Sequence, residues 1–137
     1  MNKSINTIFN ELWNKYPAVH RINFEFENKS ISLYSNSKEI LDKVGYYLCD
    51  FVCEGKRTDL LLAIIDLDSG NKVLSGDNGE AEKVVNSFED GYMEYERNSK
   101  MSYLYSKNRC MLVGPIPQNI FRVNDFICSI GNERLKA

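Results

Sequence analysis

The residues of this 137-residue chain best suited to chemistry are few and scattered. His20 is the only imidazole. A general base needs a partnered nucleophile, and none is identifiable beside Val19-His20-Arg21. Asp66 and Asp68 follow an apolar run, the place where α/β proteins hold ligands or metals beyond the ends of their strands. They also sit in a stretch rich in Asp, Ser, Gly and Asn, where acids are common as turn residues. A small-ligand or hydrolytic site would therefore draw on Asp66, Asp68 and His20, and turn chemistry accounts for the same residues without it.

Four cysteines are present: Cys49, Cys53, Cys110 and Cys128. Cys49 and Cys53 are four apart on an expected helix and so share a face, yet a zinc site would need two more ligands that the local sequence does not supply. The reading adopted is buried thiols acting as small hydrophobes, with no metal. A phosphate-binding loop needs closely spaced glycines followed by a lysine and a hydroxyl. Ser75-Gly76-Asp77-Asn78-Gly79-Glu80 lacks both the lysine and the following apolar helix, which makes it a turn. No cofactor is expected, and no catalytic motif points to an enzyme.

Tyr92, Tyr95, Tyr103 and Tyr105 lie along strand-like segments. Tyrosine couples contact area with a polar tip, so these four form a candidate partner-binding strip; the competing reading is cross-strand pairs that stabilise a sheet. Arg97, Lys100, Lys107 and Arg109 are offset by Glu89, Asp90, Glu94 and Glu96, which favours a protein or peptide over RNA. The net charge of −2 is interspersed, giving no footprint for a nucleic-acid backbone. No apolar run approaches a membrane span, and no signal peptide is recognisable, so the expected location is cytoplasmic.

The elements that position these residues follow from periodicity. Ile5, Ile8, Phe9, Leu12, Trp13 and Tyr16 recur at helical spacing, and Pro17 stops that helix. From Arg21 the period becomes two: Ile22, Phe24 and Phe26, an expected turn at Asn28-Lys29, then Ile31 and Leu33. Asn36 is the expected cap of a second helix with Glu39 completing a capping box, and Ile40, Leu41, Val44, Leu48, Phe51 and Val52 make its stripe. Gly45 within it costs about 1 kcal/mol relative to alanine and implies a close approach. Residues 60–65 read as a strand buried on both faces. Residues 81–88 are too short to assign. Three strands, 91–96, 100–105 and 109–113, form a meander; a last helix over 118–130 carries Ile120, Val123, Phe126, Ile127 and Ile130, with Gly131 placed to end it. The expectation is one α+β domain over 1–137: a mostly antiparallel sheet of hairpin, central strand and three-stranded meander, packed by about three helices.

Val113-Gly114-Pro115, Asn119 and Val123-Asn124-Asp125-Phe126-Ile127 resemble the segment that closes the N-terminal domain of HPr-kinase-related proteins, the B subgroup especially. Tyr34-Ser35-Asn36-Ser37 is similar to that family's step before its first helix. The resemblance runs from about residue 18 to 131 and marks Asn36, Gly114, Pro115, Asn119 and Asn124 as motif positions. In those relatives the kinase activity is attributed to a following phosphate-loop domain, for which this chain has no matching positions. The resemblance therefore implies a regulatory or recognition module that binds a protein partner or forms a homodimer. An unpaired edge of the meander is the natural place for it.

Overall fold

The structure, a computed structural model, describes residues 4–27, 29–55, 57–67 and 83–133. Asp68 and the glycine cluster at 75–80 lie outside the described residues.

The first helix, α1, spans Ile5–Lys15 and buries Ile5, Phe9 and Leu12, as its spacing predicts. Ser4 caps it by accepting from the Thr7 N–H. Strands β1 (His20–Phe26) and β2 (Lys29–Ser35) form the hairpin, with Phe26 paired to Lys29. Lys29, expected in the turn, is thus already in β2, and Glu27 takes the positive φ of 46° that so short a connection demands.

Helix α2 covers Lys38–Tyr47, and its cap is Ser37 rather than Asn36: the Ser37 hydroxyl accepts from the Ile40 N–H. The helix ends at Tyr47, a 3₁₀ turn takes Cys49–Phe51, and β3 is the two residues Val52–Cys53. Phe51 and Val52 therefore leave the expected stripe and are partly exposed. Cys49 and Cys53 share no helix face. Of the four thiols only Cys110 is buried; Cys49 is exposed, and Cys53 and Cys128 are intermediate, which corrects the expectation of buried thiols.

Strand β4 (Leu60–Asp66) is the buried central strand. The meander has four strands, not three: β5 (Lys83–Phe88) precedes β6 (Gly91–Glu96), β7 (Met101–Ser106) and β8 (Arg109–Gly114). After a 3₁₀ turn at Ile116–Asn119, helix α3 runs Ile120–Glu133. Gly131 does not end it. It lies buried within the helix, where an added Cβ would meet the Phe26 ring at 2.7 Å.

All eight strands join one sheet in the order β3-β1-β2-β4-β8-β7-β6-β5. Five of the seven pairings are antiparallel, while β2-β4 and β4-β8 are parallel. The class is α+β with a parallel centre, reached by the β2-α2-β4 crossover. One face buries Phe24, Leu33, Leu62, Ile64 and Leu112 with Ile40 and Val44 of α2 and Val123 and Ile127 of α3. The opposite face buries Ala63, Ile65, Leu104 and Met111 under Ile5, Phe9 and Leu12 of α1. Because β4 is covered on both sides it reads as an unbroken apolar run. No helix among the described residues is long and apolar enough to cross a membrane.

Candidate functional site

The three parallel strands end together, and there the structure gathers most of the motif positions. The Asn36 side chain, just past β2, donates to the Asp66 carbonyl at 3.1 Å and accepts from the Asp66 N–H at 2.8 Å. It thus extends the β2-β4 ladder by imitating a backbone amide. Asp66 in turn accepts from the Ile116 N–H at 3.2 Å. Gly114, paired with Asp66, has a φ of 153°, and an added Cβ there would meet the Lys100 carbonyl at 2.8 Å. Pro115 and Ser99 both present carbonyls to the buried Asn119 amide, at 2.8 and 3.1 Å. Every polar group named here is used within the fold, as a structural lock would use it.

His20 starts β1 at this same end of the sheet, level with Ile64 and with β2 between it and β4, so its backbone lies roughly 12 Å from that of Asp66, two strand spacings across and two residues along. No hydrogen bond among the described residues joins His20 to Asp66. Among the described residues no three His, Cys, Asp or Glu side chains are grouped to hold a metal. Asn124 departs from the lock. It is buried on α3 in the same helical row as Gly131, and its Oδ1 has no hydrogen-bond partner among the described residues.

The four tyrosines do not form one strip. Tyr92 pairs with Tyr105, and both face the α3 side with Tyr103; Tyr95, an odd number of residues from Tyr92, points to the opposite face with Ser102 as its neighbour. The three that remain together make a ladder. Tyr92 stacks on Tyr105 at 4.4 Å between ring centroids, Tyr103 lies 6.4 Å from Tyr105, and Phe126 of α3 caps both at 5.6 and 6.1 Å. Desolvation pushes the Tyr105 and Tyr103 hydroxyls well above the ordinary phenol range, with nearby Tyr92 and Glu96 adding to it, respectively. These two rings are sheet-stabilising pairs. Tyr92 is 41% exposed and ends the ladder at the surface.

Beyond the ladder lies β5, the last strand of the sheet, whose outer edge pairs with no strand among the described residues. Val85 is 53% exposed and shares the ladder's face, paired with Glu94. Lys83 bridges to Glu94 at 3.6 Å, and Arg122 of α3 to Glu96 at 3.4 Å, so the carboxylates beside the ladder are held by cations. The combination is an edge with free backbone groups next to an exposed valine and an exposed tyrosine. No protein-family model, curated protein or solved structure matches this chain. The site thus rests on geometry alone.

The β5 edge carries little signal in the sequence because one face of the strand is exposed and the other is half-buried only at Val84 and Phe88. Lys83-Val84-Val85-Asn86-Ser87-Phe88 therefore lacks a period-two burial pattern. The adjacent valines were the available signal, since β-branched pairs favour strands. The splitting of Tyr95 from the others could have been read from the odd spacing.

Proposed function

We propose that this chain is a non-catalytic recognition module that joins a second copy of itself by pairing β5 edges, with Val85 and Tyr92 forming the apolar contact beside the new strand pair. The observation that carries the reading is the outer edge of β5, six residues long, which no strand among the described residues pairs and which lies next to the exposed Val85 and Tyr92. A free edge is a template for another strand. A two-fold antiparallel pairing centred on Val85 sets Val85 against itself and Lys83 against Ser87 of the second copy, so the only charge in β5 meets no like charge. The accessory, regulatory role implied by the resemblance to HPr-kinase-related proteins belongs to the same proposal. It is supported by the meeting of Asn36, Gly114, Pro115 and Asn119 at one end of the sheet, where their hydrogen bonds and close packing position β8 and α3.

The test is sedimentation equilibrium across a concentration series, with wild type beside Val85→Lys. Wild type is expected to dimerise and the variant to remain monomeric with unchanged circular dichroism. A wild-type chain that stays monomeric at several hundred micromolar would overturn the proposal, as would a Val85→Lys dimer of unaltered affinity.

A further inference from the structure

The opposite end of the sheet carries a second open edge. Strand β1 is seven residues long, but β3 covers only Asn23 and Phe24. Along His20, Arg21 and Ile22 no strand among the described residues lies outside β1. Helix α2 runs beside this uncovered stretch and leaves a groove of about 570 Å³. Ile22, Leu41, Gly45, His20 and Tyr46 line it, together with Lys38 and Asp42, which neutralise each other in an ion pair at 3.0 Å. Gly45 lets the helix approach so closely that an added Cβ would stand 2.7 Å from Ile22 Cδ1. Val19 at the mouth is 73% exposed and Tyr46 85% exposed. A strand edge beside a helix groove is a setting in which an extended segment can add to a sheet, gaining backbone hydrogen bonds from the edge and specificity from alternate side chains.

The charges decide between occupants. Ile22 and His20 point to the α2 side, while Arg21, paired with Tyr34, points to the other face. Arg21 bonds to Asn23 at 3.1 Å and Ser32 at 3.1 Å and lies over the Tyr34 ring at 5.3 Å, with no carboxylate partner among the described residues. A second copy adding symmetrically at the centre of this short stretch would set Arg21 against Arg21, an unfavourable like-charge pair. A segment of another protein escapes that clash and can answer the charge. With strand alternation, the residues opposite His20 and Ile22 enter the apolar groove and the one between them stands beside Arg21.

We infer that the β1-α2 groove binds an extended segment of a partner protein in which apolar residues alternate with acidic ones. This site is independent of dimerisation through β5. The probe is the pentapeptide acetyl-Val-Glu-Val-Glu-Val-amide, titrated by NMR into the full chain and into Val85→Lys, which keeps the β5 edge out of the measurement. Saturable shifts are expected at the amides of His20, Arg21, Ile22 and Tyr46 in both proteins. Tyr46→Ala, a change at a surface side chain that leaves folding intact, should weaken binding about fivefold by removing one wall of the groove. Arg21→Glu should weaken it about tenfold and should favour the Val-Lys-Val-Lys-Val counterpart instead. A peptide N-methylated along one edge should lose binding, since it cannot pair as a strand. The inference is overturned if there is no saturable binding, if the shifts fall on β5, or if the N-methylated peptide binds as well as the parent.

Discussion

The two ends of the sheet are both open, and they are open in different ways. At the β5 end no described strand pairs with any part of the outer edge, the strand's one charge is Lys83, and the neighbouring face offers Val85 and Tyr92. At the β1 end β3 covers Asn23 and Phe24 in mid-strand, and of the stretch His20 to Ile22 that no described strand covers, Arg21 is the centre. A long edge that meets no like charge across a two-fold axis suits a copy of itself. A short edge with an unanswered cation beside a helix groove suits a different chain. Edge length and charge placement thus separate two recognition modes within a single sheet, although both use the same backbone groups.

The sharpest way to break this contrast is at Gly91, where β5 turns into β6. Its φ of 155° is combined with an added Cβ only 2.0 Å from the Tyr105 carbonyl. Gly91→Ala is expected to cost about 3 kcal/mol or more, because backbone must move on both strands. Urea denaturation should show it, and the β5 wing should lose amide protection before the β1 end does. Next comes Asn119→Ala, which strips the Ser99 and Pro115 carbonyls of their shared donor in a buried site. The expected loss is about 2–4 kcal/mol, read from the same denaturation midpoint. It falls on the lock between the two ends and so should weaken both.

Acid separates them less strongly. Hydrogen bonds from the Asn6 and Ile5 N–H groups hold the Asp90 carboxyl below the ordinary carboxylate range, and the Ser30 N–H with Arg57 does the same for Asp59. A carboxyl with a lowered folded pKa contributes stability above its unfolded value of about 3.9, and the contribution disappears as pH falls through the folded value. Stability should therefore decline below about pH 4. Asp90→Asn should flatten that decline where α1 meets the meander, and Asp59→Asn should do so near the hairpin. In alkali the sign reverses. Tyr103 and Tyr105 favour the neutral phenol in the fold, so their stabilisation is full below about pH 10 and is lost above it. Ultraviolet titration should find these two tyrosines resistant to ionisation until the protein unfolds. The smallest effect is expected at Gly45→Ala, within about 1 kcal/mol of zero: the gain in helix propensity opposes the displacement of Ile22 Cδ1, the mobile end of a side chain. A large loss there would mean that the groove floor is far more rigid than the contact implies.

Much of this fold was legible because burial writes a period into sequence. The Ile5-Phe9-Leu12 stripe, the alternation from Ile22 to Phe26 and the unbroken run of β4 each record which faces are covered. What escaped is what burial does not record. Strand β5 is half-buried only at Val84 and Phe88, so it carries little pattern. Helix α2 stops at Tyr47 because Tyr46 and Tyr47 are already exposed and the chain must turn to reach β3, which separated Cys49 from Cys53. The parallel pairing of β2, β4 and β8 depends on crossovers, not on local spacing. The role of Asn36 depends on Asp66, 30 residues away. Both docking edges belong to this second class, since an unpaired edge is defined by the strand that is missing beside it.

Asp90 closes the N-terminal turn of α1 by accepting from Ile5, 85 residues earlier in the chain, and Arg109 reaches back to Asn6 and, over 99 residues, to Asn10. An eleven-residue helix alone in water is marginal. The first described element to emerge in synthesis is therefore the one that must wait longest for its partners. Until β6, β7 and β8 exist, Ile5, Phe9 and Leu12 lack Met93, Leu104, Met111 and Val113 of the surface they bury, and the amides of the first turn keep only the Ser4 cap. The docking of α1 is a record of completion: a chain with that helix in place is a chain whose meander has already folded.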